Sequence, residues 1–198
     1  AIVLILLVGW SGQSLAPWPG AARLVEWVLL GALLQVVFHQ PFPGRGRTRF
    51  ILTTPLLVFG GVCVVGAALW EAIFCGGRIS LGVCTWGECL FLIGLALRFS
   101  AQQSLGGLFH WNIRVAERHP LVTSGPFKHI RHPSYAGVLL MGLAAPLIAN
   151  AYRSFACFPV LLGCVLLRIH YEEKALVEDV PGYSQYASRT ARLMPRIY

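Results

Sequence analysis

The chain has 198 residues, 56% of them hydrophobic and 12% charged, with a mean hydropathy of +0.65. Soluble domains carry about a quarter charged residues, so the composition excludes an ordinary soluble domain and predicts one compact membrane bundle. The net charge of +8 comes from 14 Arg and 2 Lys against 8 acids, and the basic residues gather in loops between apolar runs, a pattern of topology control and anionic headgroups rather than nucleic acid.

Residues 1–10 are apolar but too short to span, and 11–20, with two Pro and two Gly, read as a turn. Ala21 to His39 is the first spanning candidate, with Arg23 and Glu26 in its first turns. A tight basic loop follows, carrying Arg45, Arg47 and Arg49. Phe50 to Ile73 is the second span, where Gly60 and Gly61 would allow close helix packing. Ser80 to Ser100 is the third and contains Glu88, an acid at membrane depth that reads as bonded to a neighbouring helix or protonated, with a site acid as the alternative.

Residues 101–132 form the long connection. Tyr135 to Asn150 and Ser154 to His170 are the fourth and fifth spans, joined by a short hairpin. The last is expected to continue as helix through Glu178 until Pro181-Gly182 stops it. The six cysteines form no CxxC pair and read mainly as small buried hydrophobes, although Cys75 and Cys84 flank a short loop and could bridge. No metal-ligand spacing is present.

Charge asymmetry orients these five spans. Residues 39–49 hold three Lys/Arg, 98–132 hold five, and the tail after 167 holds five, whereas 74–79 and 150–153 hold one each. The rich segments fall on one face, which the positive-inside rule assigns to the cytoplasm. The expected fold class is therefore all-α, a polytopic transmembrane bundle with a cytoplasmic pocket formed by its C-terminal half. Residues 1–100 supply N-terminal helices and 101–198 the functional core.

The chemistry concentrates in a polar island, His119 to Gly137, where ionisable side chains at the membrane edge are costly unless used. Its His129-Ile-Arg131-His132-Pro133-Ser134-Tyr135 run places Pro133 to open the fourth helix. That helix N-terminus could receive a polar or anionic ligand, or the cluster could simply snorkel at the interface. Arg168 and Glu172 lie four apart and share a helix face, either as a salt bridge or as ligand groups, and Glu173 adds a second acid. Arg189, Arg192 and Arg196 in the tail suit headgroup contact.

These pieces occur in a recognisable order: Leu121-Val-Thr-Ser-Gly-Pro-Phe127, Arg131-His-Pro-Ser-Tyr-Ala-Gly137, Arg168-x-x-x-Glu172-Glu173, Tyr183-x-x-Tyr186 and Arg192-x-x-Pro195. Over roughly the last hundred residues the chain resembles the isoprenylcysteine carboxyl methyltransferase family of integral membrane methyltransferases. The resemblance implies S-adenosylmethionine as cofactor. Its contacts would fall on His119, Pro120, Leu121 and Val122, on Phe127 where the family usually has Tyr, on His132, Pro133, Ser134 and Tyr135, and on Glu172. The family's upstream glutamine has no clear counterpart, Asn112 and Arg114 being the candidates, and Arg168 matches the arginine beside the substrate carboxylate. The implied acceptor is a prenylcysteine-like carboxylate or another lipophilic or small molecule, with membrane lipids as surroundings and no metal. Phospholipid or thiol methylation on the same fold, or an NADPH-dependent sterol-type reduction, are the competing readings.

Overall fold

The computed structural model describes residues 19–37, 46–49, 52–75, 80–108, 113–116 and 121–195. Five long helices follow in chain order: α1 (Pro19–Val37), α2 (Thr53–Phe74), α3 (Leu81–Leu105), α4 (Pro133–Ala149) and α5 (Phe158–Asp179), with a short α6 (Tyr183–Ala187) after them. They match the five expected spans, with α3 running five residues past Ser100 and α5 reaching Asp179. α2, α3 and the stretch Tyr152–Asp179 are long and apolar enough to cross a membrane, and α4 is a shorter apolar helix.

The connections meet on one side. β1 (Gly46–Arg49) pairs antiparallel with β2 (Ile113–Ala116), Gly46 opposite Ala116 and Arg49 opposite Ile113. This small ribbon qualifies the all-α expectation. It joins two connections between helices, because each carries backbone donors and acceptors that the other can satisfy. Ile130 and Ala191 form a parallel bridge that brings the tail to the same side. The described residues of the three Arg-rich segments therefore share one face.

The opposite face is closed by side-chain caps. The Glu71 carboxylate accepts the backbone N–H of Arg153 (3.1 Å) and Ser154 (2.9 Å), fixing the 3-10 turn Tyr152–Cys157 that replaces the expected short hairpin. Asn150, left-handed at φ 53, ends α4, and its side-chain oxygen accepts the Ser80 N–H at 3.0 Å. The suggested Cys75–Cys84 bridge is not formed. Cys84 is buried, its thiol donating to the Ile148 carbonyl at 3.3 Å, while Cys75 is exposed.

α3 and α4 pack backbone to backbone. A Cβ on Gly94 would strike the Gly137 carbonyl oxygen, and a Cβ on Gly137 would strike that of Gly94. Gly60 does the same for α2 against α5, where a Cβ would sit 3.0 Å from the Leu161 Cα; Gly61 has open space instead. Glu88 is met by Arg23 from α1 at 3.4 Å, the interhelical pairing expected for a deep acid. The buried core runs between these helices through Leu24, Val64, Phe91, Ile148, Leu161 and Ile169.

Candidate active site

Pro133 opens α4 as its first residue, and His132 before it is extended out of the helix at φ −123, ψ 57. This geometry sends the Ser134 and Tyr135 side chains toward α3 and α5 on the ribbon side. There they border a cavity of about 580 Å³ that extends from this face into the bundle. Leu121, Val122 and Phe127 line it, as do His132, Pro133, Ser134 and Tyr135. Arg168 and Glu172 complete the wall from α5. His119, Pro120, Asn112 and Arg196 lie outside the described residues. Arg114 belongs to β2, opposite Thr48.

The lining of the cavity divides, by the elements that supply it, into an outer and an inner arm. The outer arm is bounded by Leu121, Phe127, Leu176, Val180, Tyr183 and Tyr186. The inner arm is lined from α1, α2, α4 and α5, with Leu57, Gly61, Val65, Met141 and Leu161 among its apolar residues and Gln35 of α1 a polar one. The polar groups gather at the waist between them. Tyr135 is their centre. Arg168 Nε donates to its hydroxyl at 2.6 Å, and the hydroxyl donates to Glu172 Oε2 at 2.5 Å. Arg168 Nη1 donates to Thr53 (3.1 Å) and Thr54 (2.9 Å) at the start of α2. Arg168 is 4% exposed and its guanidinium carbon lies 5.7 Å from the Tyr135 ring centre. Arg168 and Glu172, four apart, thus converge on one hydroxyl of another helix.

Arg98 was missed from the sequence. It is 5% exposed on α3, lines the same cavity and donates to Ser134 Oγ at 2.7 Å. A charged residue two places inside the end of a span is a signal that could have found it.

Glu173 departs from expectation. It turns away from the waist and gathers an imidazole and two guanidiniums: His132 Nε2 at 3.1 Å, Arg131 Nε at 3.3 Å and Arg192 Nε at 3.0 Å. The Arg131 contact is electrostatic only, since that N–H is not aimed at an acceptor. Backbone bonds from Arg131 N to Ala191 O (2.8 Å) and from His132 N to Arg192 O (3.0 Å) complete a strap holding the tail against the His-Pro turn. His132 lines the cavity while its ring nitrogen serves this strap. Arg192 is thus tied to Glu173, whereas Lys128, His129 and Arg189 are exposed.

Two tyrosines from α6 close the outer arm. Tyr186 donates to the Phe127 carbonyl at 2.6 Å, and burial, opposed by Arg131 and by a bond from Thr190, pushes its pKa up to about 12. Burial together with the nearby Glu173 and Glu172 raises that of Tyr183 further. Both are neutral phenols at physiological pH. Among the described residues no group of three or more His, Cys, Asp or Glu is placed to hold a metal.

The family model for isoprenylcysteine carboxyl methyltransferase (ICMT) matches residues 87–178, which hold Arg98, the His-Pro turn and the Arg168–Glu172 pair. The methanethiol S-methyltransferase of Pseudomonas sp. (strain GM41(2012)) is 30% identical over 213 residues, covering 94% of this chain and 77% of that protein. The chain belongs to the ICMT family. Protein-S-isoprenylcysteine O-methyltransferase B of Arabidopsis thaliana is 30% identical over 57% of the chain and 59% of its own length. A Bacillus subtilis relative, the uncharacterized protein YpbQ, is 39% identical over 83 residues, so that the matched part spans about half (49%) of it. The solved eukaryotic intramembrane Ras methyltransferase ICMT superposes with a TM-score of 0.63 at 18% identity over 99% of this chain and 74% of that one, which shows the same fold. With its apolar helices, this ICMT-family chain is an integral membrane protein.

Proposed function

We propose that the protein is an S-adenosylmethionine-dependent methyltransferase whose cofactor occupies the outer arm and whose acceptor reaches the waist through the inner arm. The observation that carries this reading is the Tyr135 node. It joins the Glu172 carboxylate to the buried Arg168 guanidinium in the wall of one cavity. Residues 101–198 form the functional core in this reading, with Arg98, Thr53 and Thr54 lent by the N-terminal helices.

The outer arm fits such a cofactor. Phe127 and Tyr186 offer aromatic surface, Leu121 and Val180 an apolar slot, and Glu172 a carboxylate able to accept from hydroxyl or ammonium groups. When bound, the sulfonium supplies an electrophilic methyl group that passes to the acceptor while the electrons of the broken S–C bond remain on sulfur. The protein's task is then mainly positioning. Arg168 and Arg98 orient an anionic acceptor, Arg168 with its own geometry fixed by Tyr135, Thr53 and Thr54. A carboxylate acceptor needs no proton removed. The apolar walls keep water from the reacting atoms.

A prenylcysteine-like carboxylate on a long apolar chain suits this arrangement best. A small thiol is the second reading, favoured by the Pseudomonas relative named for methanethiol. The basic face is the cytoplasmic one in either case. The test is binding and transfer by the purified protein. S-adenosylmethionine or S-adenosylhomocysteine should raise its melting temperature and NADPH should not, and labelled methyl should pass to a prenylcysteine analogue. Stabilisation by NADPH alone would remove the methyltransferase reading.

A further inference from the structure

Tyr183 is 3% exposed and lines the outer arm, yet its hydroxyl makes no hydrogen bond among the described residues. Its ring is well used. It packs in a small core with Ala175 and Val180, stands edge-on to Tyr186 at 6.0 Å, and has Leu121 and Leu176 beside it. Its neighbour Tyr186 has satisfied its own hydroxyl on Phe127. A phenylalanine would provide the same packing without the cost of an unsatisfied buried hydroxyl. The hydroxyl therefore needs a partner that enters the cavity.

We propose that Tyr183 is a cofactor-binding residue whose hydroxyl hydrogen-bonds the nucleoside portion of the ligand in the outer arm. The assignment rests on the methyltransferase reading above. It follows from the surroundings: the ring stands among Leu121, Leu176, Val180 and Tyr186, an apolar and aromatic lining suited to a purine face, whereas the nearby Glu172, the carboxylate that suits an ammonium group, already accepts from Tyr135. The phenol is neutral and so donates to a ring nitrogen or exchanges a bond with a ribose hydroxyl.

The test is Tyr183→Phe, measured without ligand and with two probes. These are S-adenosylhomocysteine and 5′-methylthioadenosine, the second lacking the amino-acid end. Without ligand, the variant should melt at the wild-type temperature or above, because an unsatisfied hydroxyl has been removed. With either probe, its Kd should rise about tenfold, the loss of one hydrogen bond. A variant that melts lower without ligand and binds both probes like wild type would make the hydroxyl structural and overturn the proposal. A loss confined to S-adenosylhomocysteine would move the contact to the amino-acid end and overturn it equally. Wild-type protein that binds neither probe would instead sink the methyltransferase reading itself.

Discussion

Glu172 and Glu173 are chain neighbours that serve two different structures. Glu172 faces the cavity and accepts from Tyr135, while Glu173 faces the tail and binds Arg131, His132 and Arg192. Consecutive positions on a helix lie about 100° apart, so adjacent carboxylates diverge as a matter of geometry.

Their substitutions should separate accordingly. Glu172→Gln should leave the melting temperature of the ligand-free protein near wild type and weaken S-adenosylhomocysteine binding at least tenfold, since the carboxylate charge is lost where the ligand would bond. Glu173→Gln should do the reverse. It leaves two guanidiniums and an imidazole around a neutral amide and should lower stability by about 3 kcal/mol, within the range for breaking a buried ion pair. Thermal melting and calorimetric titration of both variants check this; matching profiles would merge the two roles.

Arg168 and Arg98 are assigned to the acceptor, so they should act on turnover. Arg168→Lys keeps the charge but loses the fork that reaches Tyr135 and both threonines at once. Methyl transfer should fall at least a hundredfold while S-adenosylhomocysteine Kd changes less than threefold. Arg98→Lys should show a smaller loss of the same kind, its contact being with Ser134. A cofactor Kd that rises in step with the loss of turnover would place these guanidiniums on the cofactor instead.

The packing of α3 on α4 carries its own prediction. Gly94→Val would put a Cβ 2.7 Å from the Gly137 carbonyl oxygen, a backbone atom that cannot rotate away. Overpacking of this kind costs about 1–3 kcal/mol or more. Because α4 carries Ser134 and Tyr135, cofactor affinity should fall together with melting temperature. Gly82→Val, where an added Cβ meets nothing, is the matched control and should melt like wild type.

Much of this was legible in the sequence because each signal was physical and local. Pro133 announced the start of α4, Pro181-Gly182 the end of α5, and the i, i+4 spacing put Arg168 and Glu172 on one face. Three things were not legible. The antiparallel ribbon joins segments over 60 positions apart and uses backbone groups, which leave no side-chain pattern in short Arg-rich stretches. The divergence of Glu172 from Glu173 depends on where the tail folds back. Tyr183 stands out only once its hydroxyl is seen to be buried without a partner.

The inner arm makes the acceptor question experimental. On α2, Leu57, Gly61 and Val65 repeat every four residues along the cavity wall, and a side chain built at Gly61 would meet open space. Gly61→Leu should therefore fill the arm without straining the fold, keeping the melting temperature within about 2 °C of wild type, since no packed neighbour is displaced. If the arm houses the chain of a lipophilic acceptor, KM for a farnesylated cysteine analogue should rise at least tenfold while S-adenosylhomocysteine Kd stays fixed. A methanethiol-sized acceptor would need only the waist, and its KM should be unmoved by the same substitution. Steady-state kinetics of the one variant with both acceptors thus separates the two substrate classes, because a leucine in the arm excludes chain length and leaves Arg168, Tyr135 and Glu172 as they are.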